Sequence, residues 1–335
     1  MRNIFNIIGI ITLCLFSSCN MDDLYYAYSE NVNVKLNLDW SKTLLTPNGA
    51  SAYLFEHNTG NAVGKVVISN DPSTIKLDLP VGVFDILVIN DTEYELENIE
   101  FQNISNINEF AALITASTDS KYKEIPARSD NLFVTECDEL AYGIVEKLTI
   151  DKKDVEYYKY RPSSGSSTIY KEVGLTLTHV TEFIDIEITV ENINSVAGAP
   201  RSHLTDVAGG YFLGRNMKSP DLVTHEFALN NRMIDPNNYK IGKISKQLIS
   251  FGPHMLSRSS LANQHKLLMN FVLINGEQHP IDLDINDITD SQHDGFRMTH
   301  KIRATITLPE TIGNGDGPFN PDVEEWEDII IGLPI

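Results

Sequence analysis

Cysteine is scarce in this chain: Cys14, Cys19 and Cys137 are its only three in 335 residues. That is too few for a disulfide framework or a paired-cysteine zinc site, so stability must come from hydrophobic cores. Positive charge is also short, with Lys plus Arg at 26 against Asp plus Glu at 46, a formal charge of −20 spread without a long block of one sign. Such a field repels phosphate backbones and anionic lipid surfaces, which excludes nucleic-acid binding and electrostatic membrane docking. Arginine is missing altogether between Arg2 and Arg128. The apolar run Ile4–Phe16 falls short of the about 20 residues needed to span a bilayer. Enzyme signatures are absent as well: there is no His-Glu-x-x-His, no Gly-x-Ser-x-Gly, no P-loop, and no Gly-x-Gly-x-x-Gly between a strand and a helix. No two histidines stand at metal-ligand spacing on a predicted helix, and most of the nine, among them His179, His203, His225, His254, His265, His279, His293 and His300, are expected at the surface or in loops. The sequence therefore calls for no catalytic residue, no metal and no cofactor.

What is present begins with an address. Met1-Arg2-Asn3, the short apolar run and Ser17-Ser18 have the layout of a secretory leader, so residues 1–18 are expected to be removed. Leu15-Phe16-Ser17-Ser18-Cys19 resembles a bacterial lipobox, with Phe16 where leucine is commoner, and makes Cys19 the lipidated first residue of the mature chain. Several acyl chains at about 0.8 kcal/mol per buried CH₂ would hold it to outer-membrane lipid without a second membrane element. Asp22 and Asp23, close behind, resemble the acidic signal that sends such lipoproteins to the cell exterior; a merely solvated tether over 19–30 is the other reading.

The remaining 317 residues exceed what one core usually organises, and 42% hydrophobic with 21% charged residues is a globular composition. From Asn31 to Trp40 every even-numbered residue is apolar and every odd one polar, the period of a half-buried strand. The same alternation marks Ile75–Leu79, Ile184–Val190, Ile281–Ile285 and Ile302–Leu308, and turn residues such as Pro80-Val81-Gly82 and Asn275-Gly276 separate the runs. Many short strands with few helices predict an all-β chain of antiparallel sandwiches. Ile107–Ser117 reads as a helix or a packed loop. The small polar stretch Arg161–Ser167 suits a connection, dividing the chain into sandwiches at 31–160 and 161–335, or else the tip of a long hairpin pairing 151–160 with 169–177. The acidic set at Asp282, Asp284 and Asp287 reads as a solvated face, because an EF-hand register fails at Ile288 and lacks its glycine; the loop Gly313–Gly317 with Asp316, followed by Asp322, reads as a solvated loop, with calcium binding as the other reading. Cys137 reads as a packed or partly exposed free thiol rather than a nucleophile.

Asp39-Trp40, the stretch Leu79-Pro80-Val81-Gly82-Val83-Phe84-Asp85-Ile86-Leu87-Val88-Ile89-Asn90, the small-residue segment Leu204–Gly210 and the tail Val323–Asp328 together resemble the fimbrillin-like lipoproteins of Bacteroidales, including the minor-fimbrium anchor-like group. The resemblance implies two tandem transthyretin-like β-sandwiches, cell adhesion, and fimbrial subunits as partners joined by strand exchange. It makes 323–335, with Val323, Trp326, Ile329, Ile330, Ile331, Leu333 and Ile335, a candidate donor strand; pairing within its own domain is the alternative. Stalk subunits of that group are cut at an arginine after the first strand, and this chain offers none there. An uncut, lipidated anchor or accessory subunit is the expectation. Tyrosines at 25, 26 and 28 and at 157, 158 and 160 support a different reading, a monomeric surface lipoprotein that binds host glycan or protein.

Overall fold

The computed structural model describes residues 31–92, 94–117, 132–159, 168–253, 265–285 and 289–311. The first strands are β1 Val32–Asp39, β2 Ala50–Glu56, β3 Val67–Ser69, β4 Thr74–Leu79, β5 Gly82–Asn90, β6 Ile99–Gln102, β7 Ala111–Ile114, β8 Leu132–Val134 and β9 Ala141–Ile150, followed by helix α1, Lys152–Lys159. Next come β10 Lys171–Thr176, β11 Thr178–His179, β12 Glu182–Glu191, β13 Arg201–Ala208, β14 Gly210–Phe212, β15 Met217–Lys218 and β16 Leu222–Ala228. The series closes with β17 Asn231–Asp235, β18 Asn238–Ser250, β19 Lys266–Val272, β20 Gln278–Asp284, β21 Thr289–His293 and β22 Met298–Thr307. The chain is all-β with sandwich architecture, and every strand expected from alternation is there.

Two sheets enclose the first core: β10-β1-β4, and β11-β9-β5-β2-β3. β1 is the middle strand of the smaller sheet, parallel to β10 and antiparallel to β4. Its Val32, Val34 and Leu36 are fully buried, and each such side chain contributes about 1.5–3 kcal/mol. The turn Pro80–Gly82 carries the chain from β4 in one sheet to β5 in the other, so it is a crossover rather than a hairpin. β5 is buried on both faces: Ile86 and Val88 enter this core, while Leu87 and Ile89 enter a second one. Asp85 holds a bulge in the β5–β9 pair, accepting the backbone N–H of Lys147 at 2.8 Å where the register slips and Lys147 takes φ 55°.

The second core runs from that outer face of β5 through the sheet β15-β14-β7-β6 and into the space between β17-β18-β12-β22-β21 and β20-β19-β13-β16-β8. β12 supplies Ile184, Ile186, Ile188 and Val190 from one side, β19 supplies Leu267, Met269 and Phe271 from the other. Three pairs are parallel, β1–β10, β12–β22 and β8–β16, and the rest are antiparallel. Asn275-Gly276 makes the expected hairpin between β19 and β20, with Gly276 at φ 84°. In place of the helix or loop expected over 107–117, Ala111–Ile114 is a strand between β6 and β14. Residues 152–159 form α1, not a strand paired with 169–177. No described helix is long and apolar enough to cross a membrane.

Candidate functional site

The residues singled out for lipidation and export, Cys19, Asp22 and Asp23, and the whole candidate donor strand 323–335 lie outside the described residues. The strands to which those ends attach are described. At the amino end, β1 fills the centre of its sheet from Val32 onward. At the other, the backbone N–H of Thr311 donates to Ser195 Oγ at 3.0 Å, and Glu310 pairs with Lys240 of β18.

Near Ser195 lies an apolar groove of about 600 Å³, walled by Ile193, Val196, Leu229, Ile234, Ile244 and Phe271. Arg232 spans its edge, donating to the Ile193 carbonyl at 2.9 Å, and partial burial lowers its pKa. β17 borders this groove as the outermost strand of its sheet, with Met233 and Ile234 68% and 50% exposed and Tyr239 at the start of β18 66% exposed. An open strand edge carrying apolar side chains offers main-chain hydrogen bonds and side-chain pockets to an extended partner.

At the mouth between the two sheets of the second core lies a polar chain that runs from the exposed Ser291 through the buried His300 to the partly buried Glu182. Ser291 on β21 and His300 on β22 are directly paired across the strands, with Ser291 Oγ 2.7 Å from His300 Nδ1. His300 Nε2 is 2.7 Å from Glu182 Oε2, which also accepts from Lys218 Nζ at 2.8 Å. Gly252 makes room for this pair: a Cβ at its φ of 77° would lie 1.6 Å from Glu182 Oε2. His300 and Ser291 line a cavity of about 100 Å³ whose other walls are chiefly Ile184, Leu204, Val207, Ile285 and Ile302.

The expectation of surface histidines does not hold for His203, His225 and His300, all buried. On β16 the inward positions are Val223, His225 and Phe227, so the imidazole of His225 occupies a core position, and loss of hydration pulls its pKa down to about 4. His203 lies on the opposite face of the same sheet, its ring 5.2 Å from that of Phe133, and is likewise pulled to about 4. Counting histidine as apolar in the run Val223–Phe227 would have exposed the pattern. Cys137 is buried and burial pushes its thiol up to about 12, far from nucleophilic use. Asp282 and Asp284 face solvent from β20, and Asp282 accepts from Lys266 at 2.7 Å. Among the described residues no three histidine, cysteine or carboxylate groups converge as a metal site. Tyr157 is exposed on α1 while Tyr158 packs on the first core; Tyr25, Tyr26, Tyr28 and Tyr160 lie outside the described residues.

Comparison with known proteins places these features in a wider setting. The model of a family described as a domain of unknown function, DUF5119, matches residues 18–228. A candidate adhesin from Bacteroides ovatus superposes with a TM-score of 0.53 at 14% identity, over 84% of this chain and 94% of its own. A candidate polysaccharide-binding protein (DUF1812) from Bacteroides thetaiotaomicron gives 0.50 at 9% identity, over 83% and 92%. The fimbrial anchor protein Mfa2 of Porphyromonas gingivalis gives 0.46 at 11%, over 82% and 90%. No curated protein matches the sequence. At such identities the likeness is one of fold alone.

Proposed function

Because the chain belongs to the DUF5119 family, whose matched span opens at Ser18 immediately before Cys19, we propose that it is a lipid-anchored surface protein of the outer membrane, serving adhesion as an anchor or accessory subunit of a fimbrium. The observation that carries this reading is the place of β1. It is hydrogen-bonded on both sides, and its inward face is fully buried, so the groove that a stalk subunit would open by losing its first strand is filled from within. With no arginine between Arg2 and Arg128, an arginine-specific protease has no cut to make there. Such a subunit gives a strand without receiving one, and its lipid fixes it at the base. The donor is the segment 323–335.

The intact mass of protein extracted from membranes tests this. A species beginning at acylated Cys19 is expected; loss of Cys19 together with β1 overturns the anchor role. Protease treatment of whole cells should remove the protein, and full protection would exclude the surface location. The exposed Tyr157 and Tyr239 favour a second reading, a monomer that binds host glycan or protein through aromatic faces. Capture of a fimbrial subunit by the purified protein supports the first; glycan-array binding by a persistent monomer supports the second.

A further inference from the structure

We propose that Ser291, His300 and Glu182 form a nucleophilic site that cleaves short-chain carboxylic esters. A serine hydroxyl becomes a nucleophile when a base lies within hydrogen-bond reach and a third group orients that base. Both conditions are met here at 2.7 Å contacts, in a cleft, by side chains from three strands. The carboxylate of Glu182 can only accept, so it takes the Nε2–H of His300 and leaves Nδ1 as the lone pair facing the Ser291 hydroxyl. Lys218, which shares Glu182 Oε2, and Gly252, which leaves space beside it, fix the carboxylate in place. The two imidazole nitrogens have exchanged the partners they hold in serine proteases, which alters the approach and not the proton path.

The geometry also selects a substrate. His300 is buried while Ser291 is exposed, so the hydroxyl is the group a solute meets first. Behind it the wall of Ile184, Leu204, Val207, Ile285 and Ile302 closes a space of about 100 Å³, fitting a small acyl group such as acetyl and too small for a fatty chain. Of the other polar groups around the cavity, Thr289 Oγ1 donates to the Ile285 carbonyl, and Thr205 Oγ1 lies 3.2 Å from Asp206 Oδ2 and accepts the backbone N–H of Lys266. His265 also lines the cavity and is the side chain assigned here to the carbonyl oxygen.

The reaction balances with water alone. Ser291 Oγ bonds to the acyl carbon as its proton passes to His300 Nδ1; the ester C–O bond then breaks and the same proton leaves with the alcohol. Water, losing a proton to Nδ1, attacks the acyl-serine, and the proton returns to Ser291 as the carboxylic acid departs. No oxidant or metal enters.

A fluorophosphonate probe and p-nitrophenyl acetate, applied to the full chain, test the proposal. One adduct is expected, on Ser291, absent in Ser291→Ala, with hydrolysis in that variant lower by at least about 100-fold. Ser291 is exposed on an edge strand, so Ser291→Ala should unfold at the same urea concentration as the parent, separating chemistry from folding. Glu182→Gln should lower kcat with little change in KM, as a positioning residue would. No adduct, an adduct elsewhere, or hydrolysis unchanged in Ser291→Ala overturns the site. None of these outcomes touches the adhesion role, which rests on β1 and Cys19.

Discussion

A buried imidazole ties stability to pH in a direction that can be worked out. In the folded chain His225 stays neutral down to about pH 4, whereas in the unfolded chain an imidazole takes up a proton below about 6.5. The unfolded state therefore binds more protons between those values, and stability present above about pH 6.5 is lost as pH falls toward 4. The loss is on the order of 3 kcal/mol for this one group. His203 acts with the same sign. His225→Leu should flatten the acid limb of stability, measured as urea midpoints at pH 7 and pH 4.5; an unchanged pH dependence would show that His225 is hydrated in the native state. Gly252 is a second residue whose role is local. A side chain there would take a left-handed conformation and meet Glu182 and Lys218, so Gly252→Ala should cost about 1–3 kcal/mol in urea unfolding.

Among the elements, β1 bears the most. Leu36 sits inside the first core, between Val173 of β10 and Ile75 of β4. Leu36→Ala should destabilise by about 2–5 kcal/mol, read from chemical denaturation. A cost below about 1 kcal/mol would mean that the first strand is dispensable and the groove open to a donor. β1 was also the easiest strand to read, because one face meets the core and the other meets water or charged neighbours, which leaves period two in the sequence. β7 was hidden for the opposite reason: Ala111, Ala112 and Ile114 are all buried, since both faces of the strand are covered, and continuous apolar residues do not tell strand from helix. The polar chain at the cavity mouth could not be read at all. Ser291 and His300 are nine positions apart, but Glu182 is 118 from His300, and only the parallel pairing of β12 with β22 brings them together. Cys19 and the proposed donor segment 323–335 stand out as sequence motifs only and lie beyond the described residues.

At the scale of the whole molecule, the question is whether two cores mean two independent units. Strands cross between them in both directions. β7 and β8, from the first half, pair with β14 and β16 in the second, and β5 lends one face to each core. Tyr142 and Tyr211 both reach Asn216 Oδ1, at 2.8 and 2.6 Å, across the same seam. With so much shared backbone, neither core can open without exposing part of the other, so calorimetry should show one transition with calorimetric and van't Hoff enthalpies in agreement. The β7–β14 crossing gives a lever on this. Gly210 passes so close to β7 that a Cβ would lie 2.4 Å from Leu113 Cδ2 and 2.5 Å from the Ala112 carbonyl oxygen, and backbone cannot yield as a side-chain tip can. Gly210→Ala should therefore lower the single transition by the equivalent of about 1–3 kcal/mol while leaving it single. A split into two peaks, with only one displaced, would show that the seam joins two separately stable sandwiches.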